Sequence, residues 1–220
     1  MNEKTREKEP DIIGNFSVAL GLFDYINPLF YGITSIMVIT HMRGVMAAPL
    51  FGLYVVGAAL SLIFGLAIPT VKLIVGLGKI RFKMPVNLVT FVNTGILLSG
   101  MALVSHAAEI RPLALVLILI AFAAVIGLLW YKTGKFNTAA VLIGAVGYLM
   151  IYVSLIILSV RSGAVLPIIL YALAICLFVF LCLVGILANL KDAKVHWVIE
   201  ITNVICQCSV AVATVILFCG

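Results

Sequence analysis

Charge is what this sequence has least of. Of its 220 residues, 8 are acidic and 14 basic, so charged residues are 10% of the chain. A soluble domain carries about 25%. Histidine is nearly as scarce, with 3 residues, and tryptophan has 2. There is no GxSxG, Walker loop, HExxH or pair of close carboxylates, and no lysine in the middle of the last apolar run. These absences leave little from which to build a hydrolase, a nucleotide site or a retinal site. The five cysteines, Cys176, Cys182, Cys206, Cys208 and Cys219, show neither CxxC nor Cys/His ligand spacing. They read as small apolar core residues rather than as a disulfide or metal set. His41 and His106 fall at one end of the apolar runs and His196 at the other, so they do not assemble one metal site. No cofactor and no metal is expected.

What the chain has instead is hydrophobicity: 65% of it is apolar. A water-soluble fold of this size has no interior large enough to hide that surface, so lipid must be much of its solvent. In hydrocarbon only helices and closed barrels satisfy their backbone groups. Barrel strands alternate apolar and polar residues over about 10 positions, whereas this chain has continuous apolar runs such as Pro112 to Trp130. The expected fold is therefore all-α, a polytopic integral membrane protein.

A span needs about 20 apolar residues, and the sequence offers seven. Span 1 is expected at Asp24–Met42, span 2 at Val45–Val71, span 3 at Pro85–Val104 and span 4 at Pro112–Tyr131. Span 5 follows at Thr138–Val160, span 6 at Val165–Leu190 and span 7 at Trp197–Phe218. Pro85 and Pro112 open their helices, where a missing N–H is harmless. Residues 1–23 form a charged tail without the basic-then-apolar order of a signal peptide. Within that tail Ile12, Ile13, Phe16, Ala19, Leu20 and Phe23 recur at helical spacing. This describes either an interfacial amphipathic helix or a tilted start to span 1. The transmembrane domain is 24–220.

The net charge of +6 lies at the ends of the runs, where membrane topology places it, and not in a nucleic-acid patch. On one side fall Lys4, Arg6, Lys8, Lys72, Lys79, Arg81, Lys83, Lys132, Lys135, Lys191 and Lys194; on the other, only Arg43, Arg111 and Arg161. The positive-inside rule then puts the N-terminus in the cytosol and the C-terminus outside. The expected location is the plasma membrane, in a bacterium the inner membrane.

The two halves resemble each other. Met42–Tyr54 (MRGVMAAPLFGLY) reads against Val160–Tyr171 (VRSGAVLPIILY), pairing Arg43 with Arg161 and Pro49 with Pro167. Val89–Gly100 reads against Ile199–Val210, pairing Asn93 with Asn203 and Ser99 with Ser209. Residues 24–104 would then be one three-helix repeat, 112–131 a linker helix and 138–218 the second repeat. Both repeats start in the same direction, a parallel duplication of the kind transporters use, with the site near the midplane between halves.

Polar residues inside a membrane are costly and usually face the bundle interior. Span 7 carries His196, Glu200, Asn203 and Gln207 at spacings that stack them on one face. Span 3 carries Asn87, Thr90 and Asn93 at similar spacing. Under the repeat, Asn93 and Asn203 would face each other across a pseudo-two-fold axis and grip a neutral polar solute with their amides. The competing reading is that these side chains are interhelical glue. Glu200, close to the membrane interface, is either hydrated, paired with Lys194 or His196, or a proton-coupling group. Asp24 is either a helix N-cap, with Pro28 in the first turn, or part of an entrance with Pro28 as a hinge. Pro49 and Pro167 either kink the far ends of spans 2 and 6 as gates or simply begin those helices.

Three helices, a linker and three more, with Asn93 and Asn203 on spans 3 and 7 and Pro28, Pro49 and Pro167 on spans 1, 2 and 6, resemble the SWEET sugar transporters and their vitamin-transporting PnuC relatives. Span 5 lacks the corresponding proline, there is no Pro-Gln motif, and the tryptophan motifs of PnuC are absent. The charge bias also gives the opposite orientation to SWEETs. The resemblance implies a transporter or facilitator of a small polar solute working by alternating access. Its site would comprise Asn93, Asn203, Gln207, Glu200 and Thr90, with Pro28, Pro49 and Pro167 as gating positions. Two other classes stay open: a non-catalytic accessory or assembly subunit of a membrane complex, and a membrane-embedded lipid-active enzyme. Expected partners are the bilayer, a small-molecule solute, and further copies of the chain or a partner membrane subunit.

Overall fold

A computed structural model describes residues 17–78, 86–133, 136–187 and 193–220. Every regular element among them is a helix: α1 (Val18–Asp24), α2 (Ile26–Met42), α3 (Ala48–Gly76), α4 (Val86–Ala107), α5 (Pro112–Thr133), α6 (Phe136–Ser162), α7 (Val165–Leu187) and α8 (Ala193–Cys219). Six apolar stretches are long enough to cross a bilayer, with α1 and α2 counting together as the first. The remaining helix, α5, has a shorter apolar stretch, Ala114–Leu128. The chain is thus an integral membrane protein by the length and composition of its helices. The tail residues Ile12, Ile13 and Phe16, the basic residues Lys79, Arg81, Lys83, Lys135 and Lys191, Pro85, and the last three residues of expected span 6 lie outside the described residues.

Span 1 is not one continuous helix. Ser17 caps α1 by accepting the Leu20 N–H, and α1 ends at Asp24. Pro28 explains the break. It has no N–H to give the Asp24 carbonyl four residues back, and its ring crowds that carbonyl. Asp24 is therefore the last residue of α1 and caps nothing, contrary to the N-cap reading. Pro49 is the second residue of α3 and Pro167 the third of α7, where a missing N–H leaves no helical bond unmade. Neither kinks its helix. The interior proline is Pro69 of α3, which removes the helical partner of the Gly65 carbonyl. Helix α3 has 29 residues, or about 44 Å at roughly 1.5 Å per residue. It carries Lys72 inside its last turns.

The helices close a ring: α2 packs on α3, α3 on α4, α4 on α6, α6 on α7, α7 on α8, and α8 back on α2. Helix α5 touches α6 and α4 from outside the ring. Close approach at α4 comes from glycine on both of its flanks. A Cβ on Gly57 of α3 would stand 2.6 Å from the Gly95 carbonyl oxygen, and one on Gly100 would stand 2.5 Å from that of Gly147 on α6. Van der Waals contact between backbones is the main cohesive force where lipid solvates the apolar side chains equally well. Gly52, on the same helix as Gly57, is exposed with open space around it.

The two ends of the bundle differ. Toward the Arg43/Arg161 end the interior is a dense apolar core. It contains Val38, Tyr54, Leu103, Leu155, Tyr171 and Ala213, each 2% exposed or less. Tyr171 satisfies its hydroxyl on Thr214 at 3.0 Å. Outside the core, Leu29, Ile36, Ile63, Leu117, Ile169 and many other apolar side chains are exposed, as lipid contact requires. The opposite end, where α1 sits, holds the polar groups.

Candidate functional site

Four helices bring an ion cluster together at the α1 end. Lys72 of α3 donates to Asp24 Oδ2 of α1 at 2.7 Å and to Glu200 Oε1 of α8 at 3.0 Å. Asn27 of α2 donates its Nδ2 to the other oxygen of each carboxylate, to Asp24 Oδ1 at 3.3 Å and to Glu200 Oε2 at 3.1 Å. The two donors thus each bridge both acids. Asp24 and Glu200 are 8% and 7% exposed. The break at Tyr25 is what lets Asp24 reach: it places the end of α1 over α3, where Tyr25 also bonds Thr70 at 2.7 Å. On the other flank Phe23 packs its ring on Trp197 of α8. Glu200 therefore pairs with Lys72, a residue of another helix.

Below this cluster, between it and the apolar core, lies a partly open cavity of about 140 Å³. Its volume is close to the roughly 150 Å³ of an engineered apolar cavity that admits benzene, but polar side chains interrupt its mainly apolar walls. Asp24, Asn27, Pro28 and Tyr31 line it from the α1/α2 side, and Ser61, Gly65 and Ile68 from α3. Val92 and Ile96 come from α4, Tyr148 from α6, and Asn203 and Gln207 from α8. Both proline-disrupted helices contribute a wall, and Pro28 lies against Gly65. Interrupted helices at membrane depth are tolerated where the backbone is buried in protein or lines a cavity.

Of the expected site residues, Asn203 and Gln207 are in the cavity wall and Glu200 is in the cluster that roofs it. Gln207 also reaches the Tyr152 hydroxyl at 3.5 Å. Asn93 and Thr90 are half-buried on α4 but do not line the cavity. The Asn93 side chain packs against Gly144 of α6, so closely that a Cβ there would collide with its Oδ1. Asn93 and Asn203 therefore belong to different environments. Of the proposed gating prolines, Pro28 lines the cavity, whereas Pro49 is exposed and Pro167 buried at helix starts remote from it.

Sequence reasoning missed Lys72, Asn27, Tyr31, Ser61 and Tyr148. For Lys72 a signal existed: Leu73, Ile74 and Val75 continue the apolar run beyond it, so the lysine sits inside the helix and not at its end. Among the described residues no three His, Cys, Asp or Glu side chains are grouped so as to hold a metal ion. Comparisons with protein-family models, with curated proteins and with solved structures give no match for this chain.

Proposed function

We propose that this protein is a transporter or facilitator of a small polar solute, and that the cavity beneath the Asp24–Lys72–Glu200 cluster is its binding site. The observation that carries the reading is a cavity of small-metabolite size with polar groups in its wall, inside the spanning bundle and walled by five of the six ring helices. Glue alone calls for no cavity: polar side chains serving only to hold helices together bond each other across a packed interface.

Helix α5 is taken as the seventh span. Its 22 residues extend about 33 Å at roughly 1.5 Å per residue, enough for a hydrocarbon core of about 30 Å. An odd count puts the termini on opposite faces. The lysine-rich end, with the cavity, is then cytosolic, and the apolar core closes the outer side. This is the arrangement of an inward-open state in alternating access.

Three features support a duplicated three-plus-one-plus-three architecture. The ring order is unchanged when α2, α3 and α4 exchange places with α6, α7 and α8. Gly44 and Gly163, both with positive φ, follow the ends of α2 and α6. Interior residues recur 117 apart: Tyr31 with the half-buried Tyr148, and the buried Val38 with Leu155 and Tyr54 with Tyr171. Asn27 of the first repeat and Asn203 and Gln207 of the second supply amides to the cavity from positions the repeat does not equate, so the site is asymmetric, unlike the paired asparagines of the SWEET resemblance.

A thermal-stability screen of the detergent-purified chain against small metabolites tests the reading. A solute at a hundred times its Kd should add about 2.7 kcal/mol of stability. That shift should vanish in Asn203→Ala/Gln207→Ala. A broad screen without a hit, together with a strongly destabilised double variant, would instead favour a packing role and an accessory subunit.

A further inference from the structure

We propose that the cavity selects a small organic cation, a solute bearing a protonated amine, with Asp24 and the Asn27 amide oxygen as its anchor. The inference rests on the transport-site reading and adds the charge and donor character of the solute.

Among the described residues the cluster holds two carboxyl groups, Asp24 and Glu200, against one ammonium, Lys72, which both acids bond. A buried excess of negative charge is costly in a low-dielectric interior and is offset when a cation comes within a few ångströms. Asp24 is itself part of the cavity wall, and among the described residues no lysine, arginine or histidine is. Lys194 and His196 precede Glu200 on α8 and do not line the cavity.

Asn27 supplies an independent second observation. Carboxylate oxygens only accept, so the nitrogen of its amide must be the end facing Asp24 and Glu200. Its Oδ1 is thereby turned away from the acids, and it is buried without a donor. Asn27 is 8% exposed and lines the cavity. A buried amide oxygen left unbonded costs about 1–3 kcal/mol, and an N–H of the solute satisfies it. Tyr31 and Tyr148 also line the wall. One solute ammonium thus meets a carboxylate and an unpaired carbonyl oxygen in a volume that suits only a small molecule.

The test reads the sign of the cavity's potential without knowing the solute. Ile68, an apolar wall residue, is replaced by cysteine in the full-length chain after the native cysteines are changed to alanine. The purified protein is reacted with 2-aminoethyl methanethiosulfonate, a cation with N–H donors, and with the anionic 2-sulfonatoethyl reagent. The cation-to-anion rate ratio, relative to that of a free thiol, should be raised by about tenfold or more, since focusing by a charged cleft changes association rates by 10- to 1,000-fold. Glu200→Gln should bring the ratio back toward the free-thiol value, and Asn203→Asp, which leaves the cluster intact, should raise it further. Ready reaction with both reagents at the free-thiol ratio, or a ratio indifferent to both variants, overturns the cation proposal and leaves the cavity standing. Failure of both reagents to react overturns the cavity itself, and the transport reading with it; reaction of the anion in preference to the cation overturns the cation proposal alone.

Discussion

Lys72 is the residue on which the polar end of the bundle depends, because it is bonded to both Asp24 and Glu200. Lys72→Met leaves two carboxylates facing each other without their ammonium. Breaking a buried pair in this way typically costs about 3–5 kcal/mol, and thermal unfolding in detergent should show a loss of that order. Glu200→Gln is expected to cost less, about 1–3 kcal/mol, because the amide oxygen still accepts from Lys72 and Asp24 still neutralises it, while the new NH2 group faces the Asn27 amide nitrogen and loses that one hydrogen bond. Equal losses in the two variants would mean that the cluster does not share its charge as described. At this scale the sequence was half legible. Glu200, Asn203 and Gln207 stand out as polar residues on one face of an apolar helix, and they do meet at the site. Lys72 was hidden because a lysine at the end of an apolar run is ordinarily an interfacial anchor. Only the packing of α1 and α8 on α3 shows that it points inward. Asn93 was over-read: its pairing with Asn203 came from the repeat, and a repeat equates positions without making their surroundings equal.

Glycine decides how the helices pack. Gly57→Ala forces a Cβ into the Gly95 carbonyl, and overpacking of this kind costs about 1–3 kcal/mol. Gly52→Ala, on the same helix but facing open space, should be neutral or slightly stabilising. The difference between their melting temperatures checks whether α3 and α4 approach backbone to backbone. Gly52, Gly57, Ala58 and Gly65 are all small enough for close packing, but composition cannot tell which side of a uniformly apolar helix faces protein and which faces lipid. The same ambiguity explains the prolines. Their positions in the sequence were plain, yet whether each bends a helix depends on where that helix starts. Pro49 and Pro167 begin helices, Pro28 separates α1 from α2 beside the cavity, and Pro69 lies inside the continuous α3. Restoring a donor with Pro28→Ala should join α1 to α2 and draw Asp24 away from Lys72. The expected result is a lower melting temperature despite the better helix former.

For the whole molecule, hydropathy and length made the helical membrane fold readable before any coordinates, since each long apolar run had to be a helix. The ring order was not readable, because every helix is apolar on most of its circumference and pattern alone does not name its neighbours. Nor was the division into a dense apolar core at one end and a cavity with polar groups in its wall at the other. That division is central to the proposed transport cycle, in which the cavity must open alternately to each face. Reporter tags on the two termini should be cleaved from opposite sides of sealed vesicles if α5 completes seven spans; cleavage from one side would remove the seventh.

The most direct test is the sidedness of the cavity. A cysteine at Asn203, in a background whose native cysteines are alanine, is exposed to a membrane-impermeant thiol reagent in right-side-out and in inside-out vesicles. Alternating access predicts labelling from both faces, faster from the lysine-rich face. Labelling from one face only, or protection from both, would contradict it.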